Sequence, residues 1–394
     1  MTEYEADLVV VGGGVAALWS TRLAAQAGMR TVLVTSGPLG SHASTRNQGW
    51  LHSGGFYAAY QAWSLARACA IGSADIRVLA QRIPQLLART GGIYLVRDDH
   101  QAETISMRLR TARIEHHLIS AAEWPYPALQ VADCAVDTTL LIKMLVTDAV
   151  RAGARIIADT VETAPTYLGG SWTVDTGRDR VHTGQVVLAL GAGIPRYLRG
   201  WHLDENTPDY SVTRSTVVVI PELTIAGPVI PLFDFGPTIL PIWHRGRYCG
   251  ATMCLPFDNA ADGADGQSTD ALLGECVDRL PELGARLTPT VRRSIRTYRC
   301  EKLLVGDQQA GTEASRTHRI DHLADGLIGF YAGKFSSASV AARDLLRTLT
   351  AQITPHHDRQ PSAVLGALHI AARAAVAPIA MSRPVHALAE ESPT

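Results

Sequence analysis

Three features of the sequence predict an α/β protein: a Rossmann-like dinucleotide-binding domain, a second domain with a mixed, largely antiparallel β-sheet, and a C-terminal helical tail. The first is an apolar run, Leu8-Val9-Val10-Val11, that stops at Gly12-Gly13-Gly14 and gives way to an Ala-rich helical stretch. The second is a change of texture over 195–257, where prolines recur and short strand-like runs alternate with turns. The third is an Ala-rich amphipathic pattern over 363–380.

The opening stretch reads as strand, tight glycine turn, helix, followed by a second strand over 31–34. Gly12, Gly14 and Ala17 meet G-x-G-x-x-G/A. Gly12 makes the turn, Gly14 lets a pyrophosphate approach the backbone, and Ala17 lets the helix lie close to the sheet. The free N–H groups at the helix start, those of Ala16 and Ala17 among them, suit phosphate charge. The alternative is a tight turn with no ligand.

Composition limits the rest. The chain has 394 residues, 46% hydrophobic and 19% charged, with net charge −1, which is ordinary for a globular protein and argues against binding nucleic acid through bulk charge. No apolar run approaches the ~20 residues of a membrane helix. Six cysteines form no CxxC pair and no metal or disulfide spacing. The expected compartment is a reducing cytoplasm. The expected partner is a small-molecule substrate, with no nucleic acid and no integral membrane segment; homo-oligomerisation stays open.

Residues 35–57 are rich in Gly, Ser, His and Asn and lack a period, as functional loops do. Residues 58–90 read as one or two amphipathic helices, 93–96 as a strand and 101–120 as a helix. The adjacent His116 and His117 would point apart on that helix and suit no metal. Residues 137–153 form a further helix, capped by Asp137 and ended by Gly153. Strands follow over 154–158, 172–174, 181–182 and 185–189, the last stopping at Gly191-Ala192-Gly193, a second glycine approach to the same ligand. The second domain's strands fall at 215–220, 238–244 and 247–253, with a hairpin turn at His244-Arg245-Gly246-Arg247. Helices over 270–284 and 288–296, a strand over 328–332 and a helix over 339–349 complete the body. The tail helix packs on the body or serves a quinone or membrane surface.

Several stretches together resemble FAD-dependent oxidoreductases of the D-amino-acid-oxidase superfamily, most closely the branch of glycerol-3-phosphate dehydrogenase and oxidase and L-2-hydroxyglutarate oxidase. Beside the glycine turn, Ser44-Thr45-Arg46-Asn47-Gln48-Gly49-Trp50-Leu51-His52-Ser53-Gly54-Gly55-Phe56-Tyr57 is similar to that branch's S-x-x-N-x-G-x-I-H-x-G-x-x-Y. Residues 187–193 look like V-x-A-x-G-x-W without the tryptophan. Ser315-Arg316-Thr317-His318-Arg319-Ile320 is similar to S-R-x-H-x-I, and Gly333-Lys334-Phe335-Ser336-Ser337 to G-G-K-L/F-T-T.

The resemblance implies FAD-binding segments 1–80, 136–200 and 301–352, substrate-domain segments 81–135 and 201–300, and a tail 353–394. FAD would contact Gly12, Gly14, Ala16 and Ala17 through its pyrophosphate, and Thr35 and Ser36 beyond the second strand. Ser44, Thr45, Asn47, Gln48 and Gly49 would run beside the isoalloxazine. Val161 and Gly191 would add contacts, and Gly333, Lys334, Phe335 and Ser336 would sit near flavin N1, where positive charge stabilises the reduced anion. The activity implied is oxidation of a CH–OH or CH–NH group of a small polar metabolite by hydride transfer to flavin N5, with reoxidation by O2 or another acceptor. His52 is the expected catalytic base; a covalent flavin link or a structural role are its alternatives.

Two departures stand out. The carboxylate expected on the ribose, about 20 residues after the glycines, is replaced by Thr35. The branch's substrate arginine is replaced by Glu301 in the run Tyr298-Arg299-Cys300-Glu301-Lys302, while Arg316 is retained. Glu301 would hold a cationic amine or sugar hydroxyl, or form a surface ion pair. Competing functions are a single-component flavin monooxygenase and a catalytically silent flavin-fold subunit.

Overall fold

The computed structural model of the chain describes residues 1–89, 91–120, 124–203, 210–233, 236–254, 269–305 and 317–352, except the side chain of Leu304. These form two compact units. Met1–Thr45, Thr138–Val212 and the described residues from Leu303 onward make the first; Arg46–Asp137 and Thr213–Lys302 make the second.

The first unit is built on a sheet in the order Arg319–Ala324, Leu327–Tyr331, Asp179–Leu188, Thr2–Val11, Thr31–Thr35, Arg155–Ala158. All neighbours are parallel except the outermost pair, Arg319–Ala324 with Leu327–Tyr331. Ser171–Asp175 and Thr166–Leu168 add an antiparallel extension from Asp179–Leu188. Leu8 to Val11 and all of Thr31–Thr35 are buried, as strands covered on both faces must be. Helices Thr138–Arg151 and Ala338–Gln352 pack against Val15–Gln26. Asp179–Leu188 is one continuous strand where the sequence suggested two fragments. Thr183 and Gly184 interrupt its apolar pattern, yet the ladder to Thr2–Val11 runs through them, and Thr183 Oγ1 donates to Gln185 O.

The second unit's sheet has the order Arg296–Val305, Tyr210–Ile220, Arg247–Cys254, Thr238–His244, Val229–Pro231, Gly92–Leu95, Pro127–Val131, His116–Ser120. It is largely antiparallel, with one parallel pairing of Val229–Pro231 to Gly92–Leu95. The helix expected over 101–120 is shorter. Asp98 caps it by accepting from Gln101 N, it spans Asp99–Thr111, and Arg113 at φ +57° turns the chain into the edge strand His116–Ser120. His116 contacts Ile114 O at 2.9 Å and Ser106 Oγ at 2.6 Å. The expected boundary at residue 80 also differs. Helices Gly55–Ala59 and Trp63–Arg82 bury Phe56, Leu65 and Cys69 against Tyr94, Ile105 and Leu109, so the second unit begins at Arg46. The tail, with the helix expected over 363–380, lies outside the described residues.

All six cysteines are free; five are buried and Cys249 is exposed, while burial pushes the Cys134 thiol up to about 11. Since the thiolate is the reactive form, the native protein is expected to show one fast-reacting thiol with an aromatic disulfide reagent. Cys249→Ser should abolish it. A second fast thiol in the native state would contradict this packing. Among the described residues, no helix is long and apolar enough to cross a membrane.

Candidate active site

In the first unit, the glycine turn has the geometry its sequence requires. Gly12 sits at φ +140°, and a Cβ there would lie 2.4 Å from Ala189 O. Gly13 faces Thr35, whose Oγ1 would lie 2.5 Å from a Cβ. At Gly14 a Cβ would meet only Ser44 Oγ, at 3.1 Å. Ser44 Oγ accepts the N–H of Val15 at 2.9 Å, and Thr45 Oγ1 donates to Gly40 O at 2.6 Å. The N–H groups of Ala16 and Ala17 follow in the first turn of Val15–Gln26, where a helix supplies no acceptor, and no acidic residue stands in that turn. A side-chain-free floor and outward donors fit the pyrophosphate of a dinucleotide. Thr35 is buried and donates to Gly37 O at 3.1 Å, and Ser36 is exposed.

The remaining expected cofactor residues of this unit lie outside its main strands and long helices. Val161 is buried and bridges Thr176. Gly191, at φ +56°, has open space where a Cβ would stand. Gly333, at φ +73°, accepts from Tyr331 Oη at 3.0 Å, and the turn through Lys334, Phe335 and buried Ser336 feeds the helix Ala338–Gln352.

In the second unit, Asn47, Gln48, Gly49 and His52 lie on one anchored segment. Asn47 Oδ1 accepts from Gly49 N at 2.7 Å. Gln48 Nε2 donates to Thr238 O, and Gln48 Oε1 accepts from Thr238 Oγ1. Tyr298 Oη donates to Asn47 O at 3.5 Å, and burial raises its phenol. Trp50–Leu51 then pairs with Cys134–Ala135 as a two-stranded ladder. Gly54, at φ +97°, must lack a side chain, because a Cβ would lie 2.3 Å from Ala66 O.

His52 is half-buried in an aromatic setting. Its ring stacks on Trp50 at 3.8 Å and 29°, with Tyr57 at 5.0 Å. Beneath this segment lies fully buried Asp133. It accepts from Trp50 Nε1 at 2.8 Å, Ser53 N at 2.6 Å and Tyr94 Oη at 2.8 Å. Burial pushes the Asp133 carboxyl up, against the pull of those donors; burial and the adjacent carboxylate push the Tyr94 phenol well up. Asp133, Trp50 and Tyr94 were not singled out from sequence. The available signal was a lone carboxylate inside the otherwise apolar run Val131-Ala132-Asp133-Cys134-Ala135-Val136.

Glu301 lies on the strand Arg296–Val305, which also carries Tyr298. Its Oε1 accepts from Arg214 Nε at 3.1 Å in an exposed pair, while Lys302 donates to buried Ser215 at 3.2 Å. Along the strand Arg299, Glu301 and Lys302 are exposed, while Cys300, Leu303 and Val305 are buried. Arg316 lies outside the described residues. Among those described, no group of three or more His, Cys, Asp or Glu is placed to hold a metal ion.

Comparison with known families decides the broad assignment. The profile of the family DAO, FAD dependent oxidoreductase, matches residues 7–320. The chain belongs to this family. Its cofactor is therefore FAD. A probable FAD-dependent oxidoreductase of Pseudomonas aeruginosa is 45% identical over 56 residues, covering 14% of each chain. Subunit A1 of an anaerobic glycerol-3-phosphate dehydrogenase from Haloferax volcanii is 32% identical over 163 residues, covering 38% of this chain. The chain spans 14% and 27% of the lengths of these curated relatives. Glycine oxidase from Geobacillus kaustophilus shares the fold, with a TM-score of 0.65 at 18% identity, covering 90% of this chain and 97% of that one.

Proposed function

We propose that this DAO-family protein oxidises a CH–OH or CH–NH group of a small polar metabolite, with His52 taking the substrate's proton. The observation that carries the reading is the His52 ring, stacked on Trp50 in a half-buried aromatic setting on an anchored segment. An imidazole titrating near ~6.5 suits proton removal at neutral pH. FAD, when bound, would supply a hydride acceptor at N5, with O2 or another acceptor for reoxidation. Gly12, Gly14, Ala16 and Ala17 would hold its pyrophosphate, and Gly333-Lys334 would supply positive character toward the flavin ring.

The named relatives act on glycerol 3-phosphate and on glycine, both small and each bearing an anionic group at neutral pH. In this chain Glu301 is engaged with Arg214. That arrangement favours a substrate with an anionic group over a cationic amine held by Glu301. Six free cysteines support a reducing cytoplasmic setting.

Anaerobic flavin bleaching against hydroxy acids, polyols, amino acids and amino sugars tests the reading. Bleaching by a hydroxy or amino acid is the expected result. Bleaching by NAD(P)H alone favours a monooxygenase. A colourless chain that takes up no added FAD overturns both.

A further inference from the structure

Asp133 lies in the sequence far from the segment it supports, and its carboxylate is committed on both oxygens. Oδ1 accepts from Ser53 N; Oδ2 accepts from Trp50 Nε1 and Tyr94 Oη. The Ser53 hydroxyl donates as well. His52 is thus flanked by two residues, Trp50 and Ser53, that are tied to the same buried group. The ladder of Trp50–Leu51 with Cys134–Ala135 already fixes the backbone here. It does not fix the rotation of the Trp50 indole, and that indole is the surface on which His52 stacks, ring centroids 3.8 Å apart.

We infer that Asp133 is a positioning residue for His52, acting through Trp50: the carboxylate sets the indole plane by accepting its N–H, and the indole sets the imidazole plane by stacking. A carboxylate suits this position because every neighbour presents a donor. Asparagine would keep the shape but turn an amide N–H₂ toward one of those donors, which releases an indole or a hydroxyl. Tyr94 has a separate place in the same network. Its hydroxyl fills the space beside Gly55, where a Cβ would lie 2.8 Å away, and holds the carboxylate from the opposite strand.

The test uses FAD-loaded protein labelled at histidine and tryptophan rings and observed by NMR. The Trp50 resonances are assigned by loss in Trp50→Phe and the His52 resonances by loss in His52→Gln. The expected wild-type signature is a cross-relaxation peak between the Trp50 and His52 rings and an indole N–H protected from exchange. In Asp133→Asn both should be lost, and the rate of anaerobic flavin reduction by the substrate identified in the bleaching panel should fall at least ~10-fold, since small misplacements of a reacting group are costly. KM should change far less than the rate. A folded Asp133→Asn that keeps the ring–ring peak and the protected indole overturns the inference. Should Asp133→Asn fail to fold, Trp50→Phe decides: it retains a ring but cannot donate, so wild-type cross-relaxation between the His52 and Tyr57 rings in that variant overturns the inference, and loss of that contact supports it. Only the rate measurement rests on His52 being the base. Loss of the ring–ring contact with an unchanged rate upholds the positioning and refutes the base.

Discussion

His52→Ala should slow anaerobic flavin reduction at least ~100-fold, the low end of what a general base contributes, while the protein keeps its flavin. The expected cofactor floor at Gly12, Gly14 and the start of Val15–Gln26 belongs to the first unit and does not include the imidazole. The segment bearing His52 should also stay folded. It is held by the Trp50–Leu51 ladder and by the Trp50 indole and Ser53 N–H donating to Asp133, neither of which involves the imidazole. The pH dependence gives a second reading of the same role. A base acts when unprotonated, so the wild-type rate should rise with pH through the titration of an imidazole, ordinarily near ~6.5, and the variant should lack that limb. Alanine also leaves the stacked face of Trp50 bare, so added imidazole should restore part of the rate. Acid precipitation separates the covalent alternative: yellow colour retained in the wild-type pellet and released in the variant would identify a histidyl flavin. Unchanged reduction at full FAD occupancy removes His52 from the chemistry.

The elements legible in sequence are those whose determinants are local. The turn Gly12–Gly14 follows a four-residue apolar run and precedes a helix; Gly13 and Gly14 answer constraints from Thr35 and Ser44 within the same fifty residues, while Gly12 answers one from Ala189 at the neighbouring strand's end. Thr238–His244 was bounded correctly because Pro237 precedes it and Arg245-Gly246, at φ +51° and +80°, turns the chain after it. Arg296–Val305 was hidden because exposed Arg299, Glu301 and Lys302 break the apolar signal, and the two-residue period slips between buried Cys300 and buried Leu303. His116–Ser120 is an edge strand with an irregular burial pattern, so its residues carry no clean two-residue period. The support of His52 was illegible for another reason. Trp50 and Asp133 are 83 positions apart, and nothing in either neighbourhood announces the pairing. Short-range pattern makes the cofactor turn legible, although Ala189 helps to enforce it; the setting of the proposed base depends on long-range closure alone.

Gly12 and Gly14 separate folding from cofactor binding. Gly12→Ala should cost roughly 3–5 kcal/mol: about 1–3 for a β-carbon at positive φ and a similar amount for overpacking. Neither side can yield. The Cβ would lie 2.4 Å from Ala189 O and 2.9 Å from its carbonyl carbon, while Ala189 N is bonded to Val11 O at 2.8 Å and Gly12 N to Val34 O at 2.9 Å. Relief would require opening the parallel ladder between Thr2–Val11 and Asp179–Leu188. Against a typical total stability of ~5–15 kcal/mol, a fall in Tm of about 10 °C or more is expected, with loss of bound flavin as a consequence. Gly14 has an ordinary φ of −84°, and a Cβ there would meet only Ser44 Oγ, at 3.1 Å. Gly14→Ala should therefore melt within a few degrees of the wild-type apoprotein. Its methyl group would instead occupy the approach of the pyrophosphate, so FAD titration followed by flavin fluorescence should show at least ~10-fold weaker binding, about 1.4 kcal/mol. Wild-type FAD affinity in Gly14→Ala would place the pyrophosphate elsewhere, and a collapsed fold in that variant would mean that Gly14 is held by packing rather than kept open for the ligand.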